Sequence, residues 1–292
     1  MSQILRIPGR PSDLGDGLTV LRALPTVQRR MVGPWCFLDH IGPVDFTADN
    51  GLHVGAHPHI GLQTFTWMIE GELLHRDSLG NEQIIRPGQV NLMTAGHGIV
   101  HTEDSLKSGQ RLHAAQLWIA LPEHAANCPP AFDHYPELPN REEADHTLTL
   151  LVGSFAGRTM PGNFHSPLLG LDAFSKRGGD FKLSLNPGFE YGILALEGEL
   201  RIGEMHFKTD DFAYLGTGAK AINIDMAAGT RILLLGGKPF DVPVQIWWNF
   251  VATSKTEITK AQDDWEKGNP RFGRVKGDAG RRLVAPRIPW SA

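Results

Sequence analysis

The 292-residue chain predicts an all-β fold of two similar halves, followed by one short carboxy-terminal helix. Three observations carry this reading. The 33 glycines and 20 prolines punctuate short runs rich in Val, Ile, Leu, Phe and Trp, the pattern of many strands joined by turns. A motif recurs: Ile69-Glu70-Gly71-Glu72-Leu73 returns as Leu196-Glu197-Gly198-Glu199-Leu200. Helical spacing of apolar residues stands out in one late stretch.

In order along the chain, 62–69, 90–94, 112–121, 147–152, 193–196 and 230–235 read as strands. Breaks fall at Gly71, Pro87-Gly88, Gly96, Gly98, Pro187-Gly188 and Gly236-Gly237. The stretch 122–140 is rich in Pro, His and Glu and cannot hold a central strand, because proline lacks the N–H that a ladder needs. It is the expected linker. Beyond it, Thr94-Ala95-Gly96-His97 is faintly matched by Thr217-Gly218-Ala219-Lys220. Thr253-Ser254-Lys255-Thr256-Glu257 has the form of a capping box, and Ile258, Ala261, Gln262 and Trp265 follow at helical spacing. Arg271, Arg274, Lys276, Arg281, Arg282 and Arg287 then make a basic tail, read as solvated or paired within the chain. The expected division is an amino-terminal domain over 1–135, a second domain over 136–245, and a helix and tail over 246–292.

Bulk composition narrows the class. Apolar residues make up 41% and charged residues 21%, as in a soluble globular protein, and the net charge of −4 provides no basic field for nucleic acid or an anionic membrane. A small-molecule ligand is the expected partner. Cys36 and Cys128 are too few for a disulfide framework or a zinc finger. The first residues, MSQILRIPGRPSDLGDG, lack the apolar core of a signal peptide, and no run approaches about 18 uninterrupted apolar residues, so a cytoplasmic protein is expected. A monomer is expected because an internal duplication removes one usual reason to dimerise.

The chemistry concentrates in two pairs, His57-x-His59 and His101-x-Glu103. On a strand, i and i+2 side chains share one face, so two such strands side by side would present three imidazoles and one carboxylate to a single point. Imidazole and carboxylate suit first-row divalent ions, and four donors leave one or two positions open in a six-coordinate sphere. Gly55 and Gly61 bracket the first pair, and Gly96 and Gly98 precede the second, allowing tight bends; Pro58 between two ligands points to an edge or a bulge. Transferring the internal repeat sets Ser184 and Asn186 opposite the first pair, and Ile224 and Met226 opposite His101 and Glu103, so the second half has no such ligands. Gln116 and Trp118 share a strand face near the site, where Gln116 bonds a ligand histidine or a substrate oxygen, or simply packs. His40 reads as structural, His53, His75 and His113 as solvated or core histidines, His97 as a weaker acid–base candidate, and Phe65, Trp67 and Met93 as core.

The runs HPHIGLQTFTWMIEGELLHRDSLGN, RPGQVNLMTAGHGIVHTED and LHAAQLWIALP, with FLDHIGP before them and FVATSKTEI near the end, closely resemble the pirin family of the cupin superfamily. The resemblance covers nearly the whole chain and is strongest over 37–122. It implies two tandem cupin domains, each a double-stranded β-helix or jelly roll, the first binding one divalent transition metal through His57, His59, His101 and Glu103. The metal it implies is Fe(II), although the same ligands also accept Cu, Mn, Co, Ni or Zn. Many pirins have arginine where this chain has Ile60, glutamate at Gln63 and arginine at His97, and the changes at 60 and 97 are expected to alter charge at the pocket mouth. Some bacterial pirins are quercetin 2,3-dioxygenases, so the resemblance implies a small aromatic substrate and O2, with Glu103 as catalytic base. Eukaryotic pirins are described as nuclear co-regulators, which implies the alternative of a metal- or redox-responsive binding protein without turnover.

Overall fold

The structure, a computed structural model, describes residues 4–13, 18–47, 51–143, 145–277 and 282–290. Strands dominate, and Lys255–Glu266 is the one α-helix among the described residues. The chain forms two compact units. One comprises the stretch up to Ser12, Val20–His40 and Glu137–Phe240; the other comprises Asp13–Thr19, Ile41–Pro136 and the stretch from Asp241 onward. The unit changes at 136/137 and 240/241, and also at 12/13, 19/20 and 40/41, inside the stretch 1–135 expected as one domain. Two exchanges go with them: the amino-terminal strand Leu5–Pro8 pairs with Asp211–Gly216, and the carboxy-terminal segment belongs with the unit that carries the histidine pairs.

That second unit has two sheets. In one, His53–His59, Ile99–Ser105, Leu73–Asp77 and Glu82–Ile85 lie side by side in that order. In the other, Ala131–Tyr135, Val90–Thr94, Leu62–Glu70 and Arg111–Ala120 are neighbours, with residues 41–45 of the strand Trp35–Asp45 beyond them. The supposed linker therefore contains a strand, Ala131–Tyr135, but at the sheet edge, with Pro130 and Pro136 just outside it. This is where proline-flanked sequence can pair without breaking a ladder.

The other unit repeats the plan. Gly179–Ser184, Ala221–Met226, Glu199–Ile202 and Met205–Lys208 form its smaller sheet, and the larger runs from Leu5–Pro8 through Asp211–Gly216, Glu190–Glu197, Thr230–Gly237, Leu168–Ser175 and His146–Val152 to Asn140–Glu143. The repeated Glu-Gly-Glu motif is the same strand–turn–strand corner in both units, with Gly71 at φ +84° and Gly198 at φ +73°, conformations that glycine adopts freely.

The ladders correct one detail of the internal repeat. His101 pairs with His57, and its counterpart Ile224 pairs with Phe181, while Ile222 pairs with Leu183. By pairing, Phe181 and Leu183 stand where the histidine-bearing unit has His57 and His59, rather than Ser184 and Asn186. Phe181, Leu183 and Ile224 are all buried. Apolar side chains thus stand at the places of the donors, so the described residues do not repeat the histidine set at these positions.

The helix Lys255–Glu266 positions the site from behind. Ser254 Oγ accepts from the Glu257 amide at 3.2 Å, the expected cap. Ile258, Ala261 and Trp265 pack in one cluster with Phe250, Phe272, Ala56, Ile60 and Val100. The last three alternate with His57, His59 and His101 on their strands, so one face holds the histidines while the other is buried under the helix. This places Ile60 in the core, not at a pocket mouth. The basic tail is partly paired: Arg271 Nη1 donates to Asp264 Oδ2 at 2.7 Å and Arg282 lies 3.6 Å over the Trp265 ring. Arg274, Lys276 and Arg287 are exposed, and Arg281 lies outside the described residues.

Candidate metal centre

His57, His59 and His101 converge, each buried, with one ring nitrogen of each within 4.8 Å of the others. The antiparallel pairing of His53–His59 with Ile99–Ser105 brings His101 opposite His57 and Ile99 opposite His59. Ring centroids are 4.2 Å apart for His57 and His101, 5.0 Å for His57 and His59, and 5.1 Å for His59 and His101.

Hydrogen bonds fix which nitrogen of His57 and of His59 is free. His57 Nδ1 lies 2.8 Å from the Gly55 carbonyl oxygen and His59 Nδ1 lies 3.1 Å from that of Asn249. A carbonyl only accepts, so both Nδ1 atoms carry the proton and both Nε2 atoms present bare lone pairs. His101 Nε2 lies 3.1 Å from His59 Nε2. Two lone pairs at that distance repel unless a proton or a metal cation shares them. This donor set fits a divalent transition metal, held through three neutral imidazoles.

Burial reinforces the neutral state. It lowers the His57 pKa to about 4, against a smaller upward pull from the Gly55 carbonyl. Burial first, and neighbouring histidines next, drive His59 and His101 well below their ordinary value. A histidine whose pKa is lowered by folding adds stability that is fully present above the unfolded value near 6.5 and is lost as pH falls toward the folded one. Between pH 7 and pH 5, metal-free protein is therefore expected to lose about 2 kcal/mol through His57 alone. Urea unfolding at the two pH values measures this, and equal midpoints would refute it.

Glu103 stands differently from the expectation. Its carboxylate groups within 4.8 Å of His101 and His75, but it does not join His57 and His59 in a common group. At Glu103 the ladder also shifts register: Glu103 pairs with Val54 where an unbroken ladder from His101 opposite His57 would give Gly55. One extra residue in the His53–His59 strand makes a bulge, which re-aims side chains. Burial raises the Glu103 pKa, outweighing the downward pull of His75.

The other sequence candidates separate cleanly. Trp118 meets the His59 ring edge-on at 5.2 Å, whereas Gln116 accepts from the Thr66 hydroxyl at 2.8 Å within its sheet. Gln63 is buried and donates to Thr94 Oγ1. His40 is buried on Asp210, its Nδ1 2.7 Å from Oδ1, a structural role. His97 is exposed and gives its carbonyl to Arg271, and exposed His53 meets Asp104. Phe65, Trp67 and Met93 are core. Sequence reasoning missed His75. It is buried beside His101, and His75-x-Asp77 is itself a pair at strand spacing, one strand from His101-x-Glu103.

Two family models match, one described as pirin over residues 17–119 and one as the pirin C-terminal cupin domain over 170–273. The chain belongs to the pirin family. This pirin is 56% identical over 285 residues to a Pseudomonas aeruginosa protein provisionally named quercetin 2,3-dioxygenase, covering 98% of this chain and 90% of that one. It is also similar to a crystal structure of quercetin 2,3-dioxygenase from Acinetobacter baumannii, with TM-score 0.96, 48% identity, and 99% and 97% of the two chains covered. A bacterial pirin from Escherichia coli, YhhW, solved in complex with nickel(II), shares the fold at TM-score 0.66 and 20% identity, over 82% of this chain and all of that one. The tandem cupin architecture follows from the two matches and the repeated sheets. No described helix is long and apolar enough to cross a membrane.

Proposed function

We propose that this pirin is a metal-dependent dioxygenase that opens the heterocyclic ring of a quercetin-like flavonol with O2, using Fe(II). The observation that carries the reading is the convergence of three buried imidazoles, two of them with Nδ1 protons held by backbone carbonyls so that their Nε2 lone pairs are bare. The names borne by the Pseudomonas and Acinetobacter relatives supply the substrate class.

His57, His59 and His101 hold the ion in this reading, with Glu103 as a fourth ligand after a side-chain rotation toward them. When bound, the metal supplies Lewis acidity toward the substrate 3-hydroxyl and a redox centre for O2. The chain's own residues do the rest. Glu103, whose pKa burial raises in the metal-free site, is the base that takes the 3-hydroxyl proton. Trp118 and the core behind the histidines hold their rings in place.

The test is aerobic: iron-loaded protein is mixed with quercetin while flavonol absorbance, oxygen uptake and carbon monoxide are followed together. Bleaching with matched O2 loss and CO release is expected. Iron-loaded protein that consumes no oxygen would sink the proposal and leave the non-turnover alternative standing.

A further inference from the structure

We propose that His75, oriented by Asp77, is a positioning residue for this metal site: it fixes the His101 tautomer and passes the carboxylate's charge to that one ligand. The inference rests on the metal-site reading above but not on the reaction.

His57 and His59 are each oriented by a backbone carbonyl. His101 is not. Its Nδ1 faces His75 Nδ1 at 3.3 Å, and His75 Nε2 in turn faces Asp77 Oδ2 at 3.1 Å. An ionised carboxylate only accepts, so the proton on His75 sits on Nε2. The neutral ring then has one lone pair left, on Nδ1, and it can only accept from His101 Nδ1–H. That assignment leaves His101 Nε2 bare, the atom that faces His59 Nε2. The chain of acceptors from Asp77 thus ends in a lone pair aimed at the metal position.

The chain is built rigidly. His75 and Asp77 are both buried. The His75 ring stacks on Phe132 with centroids 4.4 Å apart and planes 15° off parallel. Asp77 is held by the Leu79 and Asn81 amides and by the Asn81 side chain. In the ladder, Asp77 pairs with His101 and His75 with Glu103, so all four side chains share one sheet face. A carboxylate behind an imidazole raises its basicity toward a metal, and loss of such an outer partner costs about 10–100-fold in affinity. Among the three histidines, His101 is then the strongest donor.

The test uses Co(II), whose visible spectrum reports its ligands, and two variants. His75→Phe keeps the stack on Phe132 but removes the acceptor; it is expected to bind Co(II) about 10–100-fold more weakly than wild type, with an altered spectrum. His75→Asn puts an amide oxygen near the place of Nδ1, so affinity is expected to return to within about threefold while the iron midpoint potential rises, because the carboxylate no longer backs the ligand. Long-range 15N spectra of zinc-loaded wild type, which need no variant, are expected to show protons on His75 Nε2 and His101 Nδ1. Wild-type affinity and spectrum in His75→Phe, a proton on His75 Nδ1, or two Co(II) ions per chain would each overturn the proposal. Wild type that binds no Co(II) would instead defeat the metal-site reading on which it rests.

Discussion

His101→Ala is expected to weaken metal binding by more than about 100-fold, because loss of an outer-shell partner alone costs 10–100-fold and this change removes the donor itself. Its Nε2 lies 3.1 Å from that of His59, so deletion also removes the close contact that a cation relieves. The cavity left in a buried site adds about 1–2 kcal/mol of lost packing in the metal-free state. Flavonol turnover should fall below detection with it. Glu103→Gln separates the roles. Its carboxylate groups with His101 and His75 but not with His57 and His59, so affinity should fall less than in His101→Ala. The rate should drop about 10²–10⁴-fold, the usual contribution of a general base. Exposed His53→Ala and His97→Ala serve as controls, expected at wild-type affinity. Chelator competition and oxygen uptake measure all four, and a Glu103→Gln protein with wild-type turnover would remove Glu103 from the chemistry.

The three-histidine core was legible because strand spacing is rigid: side chains two apart face one way whatever the surroundings. The same rule marks the corner at Gly71 and its repeat at Gly198, where a turn residue interrupts two apolar runs. What failed to show in the sequence depends on register. The bulge that sets Glu103 opposite Val54 is a one-residue slip between strands more than 40 positions apart, and no local pattern encodes it. The replacement of His57 and His59 by Phe181 and Leu183 was obscured for the same reason, since a motif offset does not count residues within a turn. His75 reads in sequence as a solvated or core histidine because its partners come from other strands: Phe132 from an edge strand in the supposed linker, and His101 from the neighbouring ladder. Yet His75-x-Asp77 has the same spacing as His57-x-His59 and His101-x-Glu103. The carbonyl of Asn249 leaves no mark in sequence at all, because any residue supplies one.

That carbonyl makes Gly61 a sensitive backbone position near the site. Gly61 has φ +66°, and a Cβ there would lie 2.0 Å from the Val251 carbonyl oxygen. The Val251 amide donates to the Ile60 carbonyl at 3.1 Å, and Asn249, two residues earlier, holds His59 Nδ1. Gly61→Ala must therefore push the 249–251 segment away, and the acceptor that sets the His59 tautomer goes with it. The strained φ costs about 1–2 kcal/mol, and the backbone clash brings the total to about 3–4 kcal/mol. At roughly 2–4 °C per kcal/mol, the melting temperature should fall on the order of 10 °C. Gly88 isolates the two terms: it has φ +82° with nothing within 4 Å of an added Cβ, so Gly88→Ala should show the strain without the clash and keep wild-type metal affinity. Scanning calorimetry and Co(II) titration of both variants decide the matter. If Gly61→Ala lost no more stability than Gly88→Ala and bound metal as tightly, the 249–251 segment would have no part in orienting His59.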